Sequence, residues 1–214
     1  MSIFKMENVG YSYDGKKYVI QNCNLSFEKG KVYAIIGKSG AGKTTLLSML
    51  SGLTRPTKGE IRYNDKDIKK INQYAYRSKY VGVIFQSYNL IPYLTAAENV
   101  VLSMDISGKK IGEKKTKAQT LLSDVGIRDE MTNRRILKLS GGEQQRVAIA
   151  RTLAYEPDVI LADEPTGNLD GETQSNIMDI FLNLAHEQEK CIIIVTHSPE
   201  VAKKADVCYS LSKL

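Results

Sequence analysis

The stretch that decides the fold is Gly37-Lys38-Ser39-Gly40-Ala41-Gly42-Lys43-Thr44, which fits the pattern G-x-x-x-x-G-K-[ST]. It follows the apolar run Val32–Ile36, which predicts a strand, and it leads into Thr44–Leu50, which predicts a helix. Glycines at these positions let successive backbone N–H groups face phosphate oxygens, and a helix N-terminus adds positive partial charge. The stretch therefore predicts a phosphate-binding P-loop.

Two side chains of this loop have predicted roles beyond backbone contact. The Lys43 ammonium is expected to reach the β- and γ-phosphates of a nucleotide, and the Thr44 hydroxyl is expected to ligate Mg²⁺. A chance glycine loop is the alternative, but the strand–loop–helix context argues against it. The predicted nucleotide-binding residues here are Gly37, Ser39, Gly40, Ala41, Gly42, Lys43, Thr44 and Thr45.

A pair of acids follows a second apolar run. Val159–Ala162 predicts a buried strand, and Asp163 and Glu164 come directly after it. Ligands of α/β proteins bind at the carboxyl edge of the sheet, where these acids are expected to lie. Asp163 is predicted to hold Mg²⁺ and Glu164 to polarise the attacking water. Acids also end many ordinary strands, so the prediction depends on the P-loop upstream.

A third motif, Leu-Ser-Gly-Gly-Glu-Gln-Gln-Arg at 139–146, precedes a helical run. Ser140 and Glu143 have the spacing of an N-terminal capping box. Gly141 and Gly142 are poor residues for helix stability, yet bare glycines let a backbone approach an anion closely. Helix capping and phosphate binding are compatible, and both interpretations remain open on the residues alone.

The hydrophobic pattern indicates an α/β fold. Uninterrupted apolar runs at 159–162 and 192–195 are typical of a parallel sheet covered on both faces. A helix with apolar residues at three- and four-residue spacing lies between them and predicts a crossover connection: Ile177, Ile180, Phe181 and Leu184. Val9–Tyr13 and Tyr18–Phe27 predict antiparallel strands in a small N-terminal lobe.

The segment after Val81–Gln86 has a different pattern, with about sixty helix-like residues and no convincing strand. Helices are predicted over 95–104, 113–125 and 142–155. The fold class is therefore an α/β core with a mainly parallel sheet, an antiparallel β lobe and an inserted α-helical subdomain.

Composition excludes several other classes of protein. Net charge is +6, from 30 Lys+Arg and 24 Asp+Glu, and 42% of residues are hydrophobic, which excludes a disordered or fibrous chain. No apolar run approaches the roughly 20 residues of a membrane span, and the N-terminus lacks a secretory signal. We therefore expect a cytoplasmic protein. Three widely separated cysteines exclude a disulfide framework or a CxxC zinc site.

Together these motifs resemble the nucleotide-binding subunit of ATP-binding cassette (ABC) transporters, over essentially the whole chain. The Leu-Ser-Gly-Gly-Glu string at 139–143 is similar to the family's signature motif, and with a P-loop at this spacing it is highly specific. The resemblance implies a P-loop NTPase core of the RecA-like type at 1–86 and 147–214. The inserted helical subdomain would then be 87–146, within a single domain of 1–214.

The resemblance also implies roles for individual residues. Tyr13 matches the aromatic that stacks on adenine, with Tyr11 as its rival, and Gln86 matches the glutamine that joins core and insert near Mg²⁺ and the γ-phosphate. Asp170 ends the loop Gly167–Asp170, which contacts the opposite P-loop, and His197 matches the histidine on the γ-phosphate. Two chains would sandwich two ATP molecules, each chain completing its partner's site with Ser140, Gly141 and Gly142.

The most similar subgroup serves macrolide export, lipoprotein release and bacitracin-type peptide resistance, on the strings at 88–92, 94–100 and 164–170. It implies an ATP-hydrolysing homodimer on the inner face of the membrane. The partner would be an integral membrane permease docking near Gln86–Leu94, and no direct contact with nucleic acid is expected. Three alternatives are a soluble ABC-type ATPase acting on ribosomes or DNA, a P-loop kinase, and a regulatory binder that does not hydrolyse ATP.

Overall fold

The computed structural model describes residues 2–211, which form two sheets flanked by helices. The antiparallel sheet has the strand order β2-β1-β4-β5, and the parallel sheet has the order β6-β7-β8-β3-β9. The strands are β1 Ser2–Ser12, β2 Tyr18–Glu28, β3 Lys31–Ile36, β4 Lys58–Tyr63, β5 Lys66–Asp67, β6 Val81–Ile84, β7 Val159–Asp163, β8 Cys191–Thr196 and β9 Val207–Ser210.

Within residues 2–211, eight α-helices connect and cover these strands. They are α1 Lys43–Leu50, α2 Gln73–Ala75, α3 Ala96–Ser107, α4 Lys114–Asp124, α5 Asp129–Thr132, α6 Gly141–Leu153, α7 Gly171–His186 and α8 Pro199–Lys204. One π-helical turn, Tyr76–Tyr80, continues α2, and short 3₁₀ turns lie at Ile68–Lys70 and Ile136–Lys138. Within 2–211, no helix is both long enough and apolar enough to cross a membrane.

The parallel sheet is buried on both faces, as its uninterrupted apolar strands predict. Along β8, Ile192 and Ile194 pack into a core shared with α3, α4, α6 and α7. The alternate residues Ile193 and Val195 pack into a second core with α1 and the antiparallel sheet. Because successive strand residues face opposite sides, a strand between two cores must be apolar throughout. The α/β fold class is confirmed.

The antiparallel lobe is larger than the sequence pattern predicts. β1 begins at Ser2 rather than Val9, and β4 and β5 add two strands that the pattern did not indicate. Asn8 has a left-handed φ of 50°, and the pairing of β1 with β2 shifts register between Met6 and Val9. That irregularity interrupts the alternation of apolar and polar residues by which such a strand is recognised.

The insert is helical, as predicted. Between residues 87 and 146 the described chain forms α3, α4, α5 and the start of α6, with an isolated bridge between Thr95 and Arg135. Thr95 caps α3 through a capping box with Glu98. The signature string lies at the N-terminus of α6, which stays at the surface. The rest of α6 packs into the core that it shares with α3, α4 and α7.

Candidate functional site

The P-loop lies between the carboxyl end of β3 and the start of α1. Gly42, the residue before α1, has φ of 89°, and a Cβ there would lie 2.9 Å from Val19 Cγ1. A side chain would therefore be both strained and obstructed, which explains the glycine. Lys43 Nζ donates to the carbonyl oxygens of Gly37, at 2.8 Å, and Lys38, at 3.3 Å. The loop is thus folded around its own lysine.

A cavity of about 410 Å³ opens over this loop and gathers most of the predicted site. Its wall combines the loop with Gln86, two residues after β6, the end of β7 and the antiparallel lobe. The lining residues are Tyr13, Val19, Ser39, Gly40, Gly42, Lys43, Thr44, Thr45, Gln86, Asp163 and Glu164. Of the predicted P-loop residues, Gly37 and Ala41 do not line this cavity. They lie close together, since a Cβ on Gly37 would be 3.2 Å from Ala41 Cβ.

The predicted magnesium ligands Thr44 and Asp163 are in contact. The Thr44 hydroxyl hydrogen-bonds the Asp163 carboxylate, and burial raises the pKa of Asp163 while this bond opposes the rise. A partly buried carboxylate whose charged form is disfavoured gains from a cation, and hard oxygen ligands suit Mg²⁺. With Gln86 at the rim of the same cavity, these donors fit a magnesium ion that phosphate oxygens would also ligate.

Glu164 is held rigidly at the end of β7. Its backbone adopts the left-handed conformation, with φ of 46°, and its N–H donates to Val195 O at 2.9 Å. The carboxylate accepts from the Thr196 hydroxyl at 3.1 Å and the His197 N–H at 3.2 Å, and it lies 2.8 Å from His197 Nδ1. Strain at a non-glycine residue held by several contacts is typical of functional sites.

His197 is paired with Glu164 and is not a core histidine. The His197 side chain is 70% exposed, whereas that of Glu164 is 14% exposed. This exposure excludes a buried structural role for His197. His197 does not line the P-loop cavity itself, so its contact with a γ-phosphate stays a prediction. Sequence reasoning missed Thr196, although its hydroxyl immediately precedes His197 at the same strand end.

Tyr13 is placed to meet a base, and Tyr11 is not. The Tyr13 ring is 72% exposed and lines the cavity, with its hydroxyl 2.8 Å from Thr45 Oγ1. Tyr11 is half-buried against the second core and meets Tyr13 edge-on, with 4.9 Å between ring centroids. The geometry favours Tyr13 for aromatic stacking, and the adenine contact remains a prediction.

The signature residues lie elsewhere. Ser140 caps α6, accepting from Glu143 N–H, while the Glu143 carboxylate accepts from Ser140 N–H at 2.8 Å. The capping box is therefore present. Among the described residues that line the P-loop cavity of the same chain, none is Ser140, Gly141 or Gly142. A Cβ on Gly142 would be 2.6 Å from Thr173 Cγ2, so the first turn of α6 packs closely against the first turn of α7.

Gln86 and Asp170 also have observed contacts. A Cβ on Gly167 would be 3.4 Å from Gln86 Nε2, which places Gln86 beside the loop that follows Glu164. Asp170 is the N-cap of α7 and accepts from the Thr173 N–H at 2.9 Å and its hydroxyl at 2.8 Å. These bonds lower the pKa of Asp170. The contact of Asp170 with an opposite P-loop remains a prediction.

Comparison with known proteins identifies the family. Residues 20–167 match the family described as ABC transporter. The ABC transporter ATP-binding protein YclH of Bacillus subtilis (strain 168) is 45% identical over 214 residues, covering 100% of this chain and 95% of YclH. The lipoprotein-releasing system ATP-binding protein LolD of Syntrophus aciditrophicus (strain SB) is 44% identical over 195 residues, covering 88% of this chain and 86% of LolD.

A solved structure agrees in fold as well as sequence. The dimeric post-hydrolysis state of the ATP-binding cassette MJ0796, bound to ADP and Pi, superimposes with a TM-score of 0.85 at 36% identity. The match covers 97% of this chain and 93% of that one. The resemblance of the motifs to this family is therefore confirmed across the fold. The chain belongs to the ABC transporter family, as an ATP-binding subunit that hydrolyses ATP to power a transporter.

Proposed function

We propose that the chain is the Mg²⁺-dependent ATPase of a membrane exporter, working as a homodimer on the cytoplasmic side of an integral membrane permease. The observation that carries the proposal is the convergence of Lys43, Thr44, Gln86, Asp163 and Glu164 on one cavity. These residues come from three separate strand ends, and together they supply a phosphate cradle, metal ligands and a base.

Each of these groups has a distinct task. Lys43 would transfer its hydrogen bonds from the Gly37 and Lys38 carbonyls to the β- and γ-phosphates. A carboxylate offers about four lone-pair positions, and three neighbouring donors face that of Glu164, which leaves one free. Glu164 can therefore accept a proton from the attacking water without losing its orientation. Bound Mg²⁺ would neutralise charge that develops on the phosphates.

Metal dependence tests this proposal directly. We expect phosphate release to require Mg²⁺ and to stop when EDTA is added, because Thr44 and Asp163 are paired to hold the ion. Asp163→Asn removes the anionic ligand, so it should raise the half-saturating Mg²⁺ concentration about tenfold. This corresponds to a loss of roughly 1.4 kcal/mol of Mg²⁺-binding free energy. Phosphate release measured across a Mg²⁺ titration checks this. Full activity in EDTA would contradict the metal assignment.

A homodimer follows from the position of the signature. Ser140, Gly141 and Gly142 present a helix N-terminus outside the cavity of their own chain, and such a terminus favours an anion. A second copy of the chain would supply its signature residues to the P-loop cavity of the first, so a symmetric dimer needs no other subunit. The related cassette MJ0796 is dimeric with ADP and Pi bound, which supports the same arrangement here.

The proposed permease site lies near Gln86–Leu94, in the segment Ser87–Leu94, which has one exposed aromatic side chain, Tyr93, and the exposed aliphatic side chain of Ile91. The segment forms no regular helix, in agreement with Pro92, and Tyr93 is 77% exposed while Ile91 is 41% exposed. Exposed aromatic and aliphatic side chains of this kind anchor protein interfaces. Leu90 instead packs against the first core, so part of the segment also pins the insert.

The double variant Tyr93→Glu/Leu94→Glu is expected to abolish co-purification with the membrane subunit and its stimulation of ATP hydrolysis, because it adds unpaired charge to the docking segment. The purified subunit should keep its basal ATPase and its melting temperature. Measurements are pull-down of the co-expressed membrane subunit and phosphate release with and without it.

Two controls separate docking from packing. Tyr93→Glu alone changes the more exposed residue and should give the same loss of docking. Leu53→Glu adds the same charge at a side chain that is 59% exposed and lies outside the segment Ser87–Leu94, and it should have no effect. Unchanged docking in the double variant would place the permease elsewhere, and unfolding of the purified double variant would favour the packing explanation.

The substrate class rests on the relatives. LolD, a lipoprotein-releasing system ATP-binding protein, supports a lipoprotein as the substrate class. Drugs and peptides enter the proposal only through the resemblance of the strings at 88–92, 94–100 and 164–170 to the exporter subgroup. The alternative of an ATPase acting on ribosomes or DNA has no support, because the short segment between Gln86 and Leu139 leaves no room for a long coiled coil.

A further inference from the structure

The loop after Gln86 is tied to α6, the helix that begins at the signature. The guanidinium of Arg151, near the end of α6, donates from Nη2 to the Tyr88 carbonyl at 2.8 Å and from Nη1 to the Asn89 carbonyl. The two partners are 63 and 62 residues away along the chain. Neither contact serves a helix cap or a strand ladder, so the pair joins two otherwise separate elements.

Among the residues that the structure describes, the Arg151 guanidinium donates only to these two loop carbonyls. Among residues 2–211, no ion pair includes Arg151, and burial lowers the pKa of its guanidinium. A desolvated cation needs hydrogen-bond acceptors, and here the two loop carbonyls supply them. The planar fork of arginine matches two adjacent oxygens in a way that a lysine ammonium cannot.

The loop adopts an unusual backbone to make these contacts. Tyr88 and Asn89 are both left-handed, with φ of 60° and 50°. Two consecutive non-glycine residues in this region are costly, and they persist only where surrounding contacts compensate. The same geometry carries the Tyr88 hydroxyl to α6, where it lies 3.2 Å from the position of a Cβ on Gly141. Leu169 Cδ2 lies 3.7 Å from that position.

We propose that Tyr88 and Arg151 are positioning residues for the signature motif. The Tyr88 hydroxyl lies beside the first residue of α6, Gly141. The Tyr88 carbonyl is held by Arg151 in the last turn of the same helix. The pair fixes the direction in which the N-terminus of α6 meets the ATP of the partner subunit. The proposal rests on the proposed function, in which the signature acts across the dimer.

The test uses the Glu164→Gln background, in which ATP is expected to bind without being hydrolysed. Into it we would introduce Arg151→Met, Arg151→Lys and Tyr88→Leu, with Arg146→Met as the matched control. Arg146, the last residue of the string at 139–146, also lies on α6, but it donates to the Val125 carbonyl at the end of α4 and not to the loop after Gln86. ATP affinity is measured at monomeric concentrations, and the ATP-dependent dimer dissociation constant is measured by sedimentation velocity.

We expect Arg151→Met to weaken the ATP-bound dimer about tenfold, the loss expected for hydrogen bonds to a charged group. Tyr88→Leu should weaken the dimer about fivefold, because it removes only dispersion contacts to Gly141. Arg151→Lys should restore part of the affinity, since one ammonium can bind one carbonyl. ATP affinity of the monomer should stay within about twofold in every variant, a split that general destabilisation of the subunit would not produce.

Unchanged dimer affinity in both Arg151→Met and Tyr88→Leu would overturn the proposal, and so would an equal loss in Arg146→Met. If Arg151→Met fails to fold, Tyr88→Leu decides alone, because its substitution keeps an apolar side chain and the Arg151 contacts to the backbone. Failure of the Glu164→Gln parent to dimerise with ATP would overturn the proposed dimer and this inference together. If the Glu164→Gln parent dimerises with ATP and the Arg151 and Tyr88 variants dimerise equally well, this inference alone is overturned and the proposed dimer stands.

Discussion

Glu164→Gln is expected to lower the rate of ATP hydrolysis about 10²–10⁴-fold, the usual contribution of a positioned general base. The amide has nearly the shape of the carboxylate but cannot accept the proton of the attacking water. Phosphate release at saturating ATP and Mg²⁺ measures the effect. Because binding should survive, the variant should accumulate as an ATP-bound dimer, detectable by light scattering.

The surroundings of Glu164 can accommodate the amide. Its side-chain oxygen can still accept from the Thr196 hydroxyl and the His197 N–H, which lie 3.1 and 3.2 Å from the present carboxylate. The amide nitrogen can donate to His197 Nδ1 if the ring carries its proton on Nε2 instead, and a neutral histidine allows either tautomer. The fold should therefore be retained.

A control variant at another carboxylate separates the loss of the general base from the loss of one negative charge. Glu187 is exposed at the C-terminal end of α7 and does not line the cavity. Glu187→Gln should therefore hydrolyse ATP at the wild-type rate. Wild-type turnover by Glu164→Gln would show that another group activates the water.

Local sequence was sufficient to predict the centre of the site. The P-loop follows the apolar run of β3, and Asp163 and Glu164 follow that of β7. Both runs became parallel strands whose carboxyl ends lie at one cavity. In a parallel sheet, strand order does not alter which edge these residues occupy, so the prediction needed no knowledge of topology.

The remaining features depend on contacts that no local pattern encodes. β4 alternates charged and apolar residues only weakly, and β9 has four residues, so neither has a distinct strand signal. The contacts of Arg151 with Tyr88 and Asn89 link residues far apart in sequence, and they depend on two left-handed residues that propensities disfavour. Such contacts form only once the tertiary fold brings the elements together.

Gly141→Asp is expected to abolish ATP-driven dimerisation and turnover while leaving ATP binding by the monomer intact. At the first position of α6 its carboxylate would face the phosphates of the partner's nucleotide, and like charges at close range repel strongly. The same charge at a helix N-terminus should stabilise the isolated subunit by about 0.5 kcal/mol. Loss of the dimer without loss of melting temperature would therefore be specific to the interface.

Two matched variants separate charge from shape. Gly141→Ala tests the steric term, because a Cβ would lie 3.2 Å from the Tyr88 hydroxyl and that side chain would have to yield slightly. Gly141→Asn has the shape of the aspartate without its charge. If charge repulsion is the cause, Gly141→Ala should weaken the ATP-bound dimer least, Gly141→Asn should weaken it more, and Gly141→Asp should abolish it. Sedimentation velocity with ATP measures the dimer in each variant. Equal losses in asparagine and aspartate would assign the effect to bulk, and normal dimerisation of Gly141→Asp would remove the signature from the partner's site.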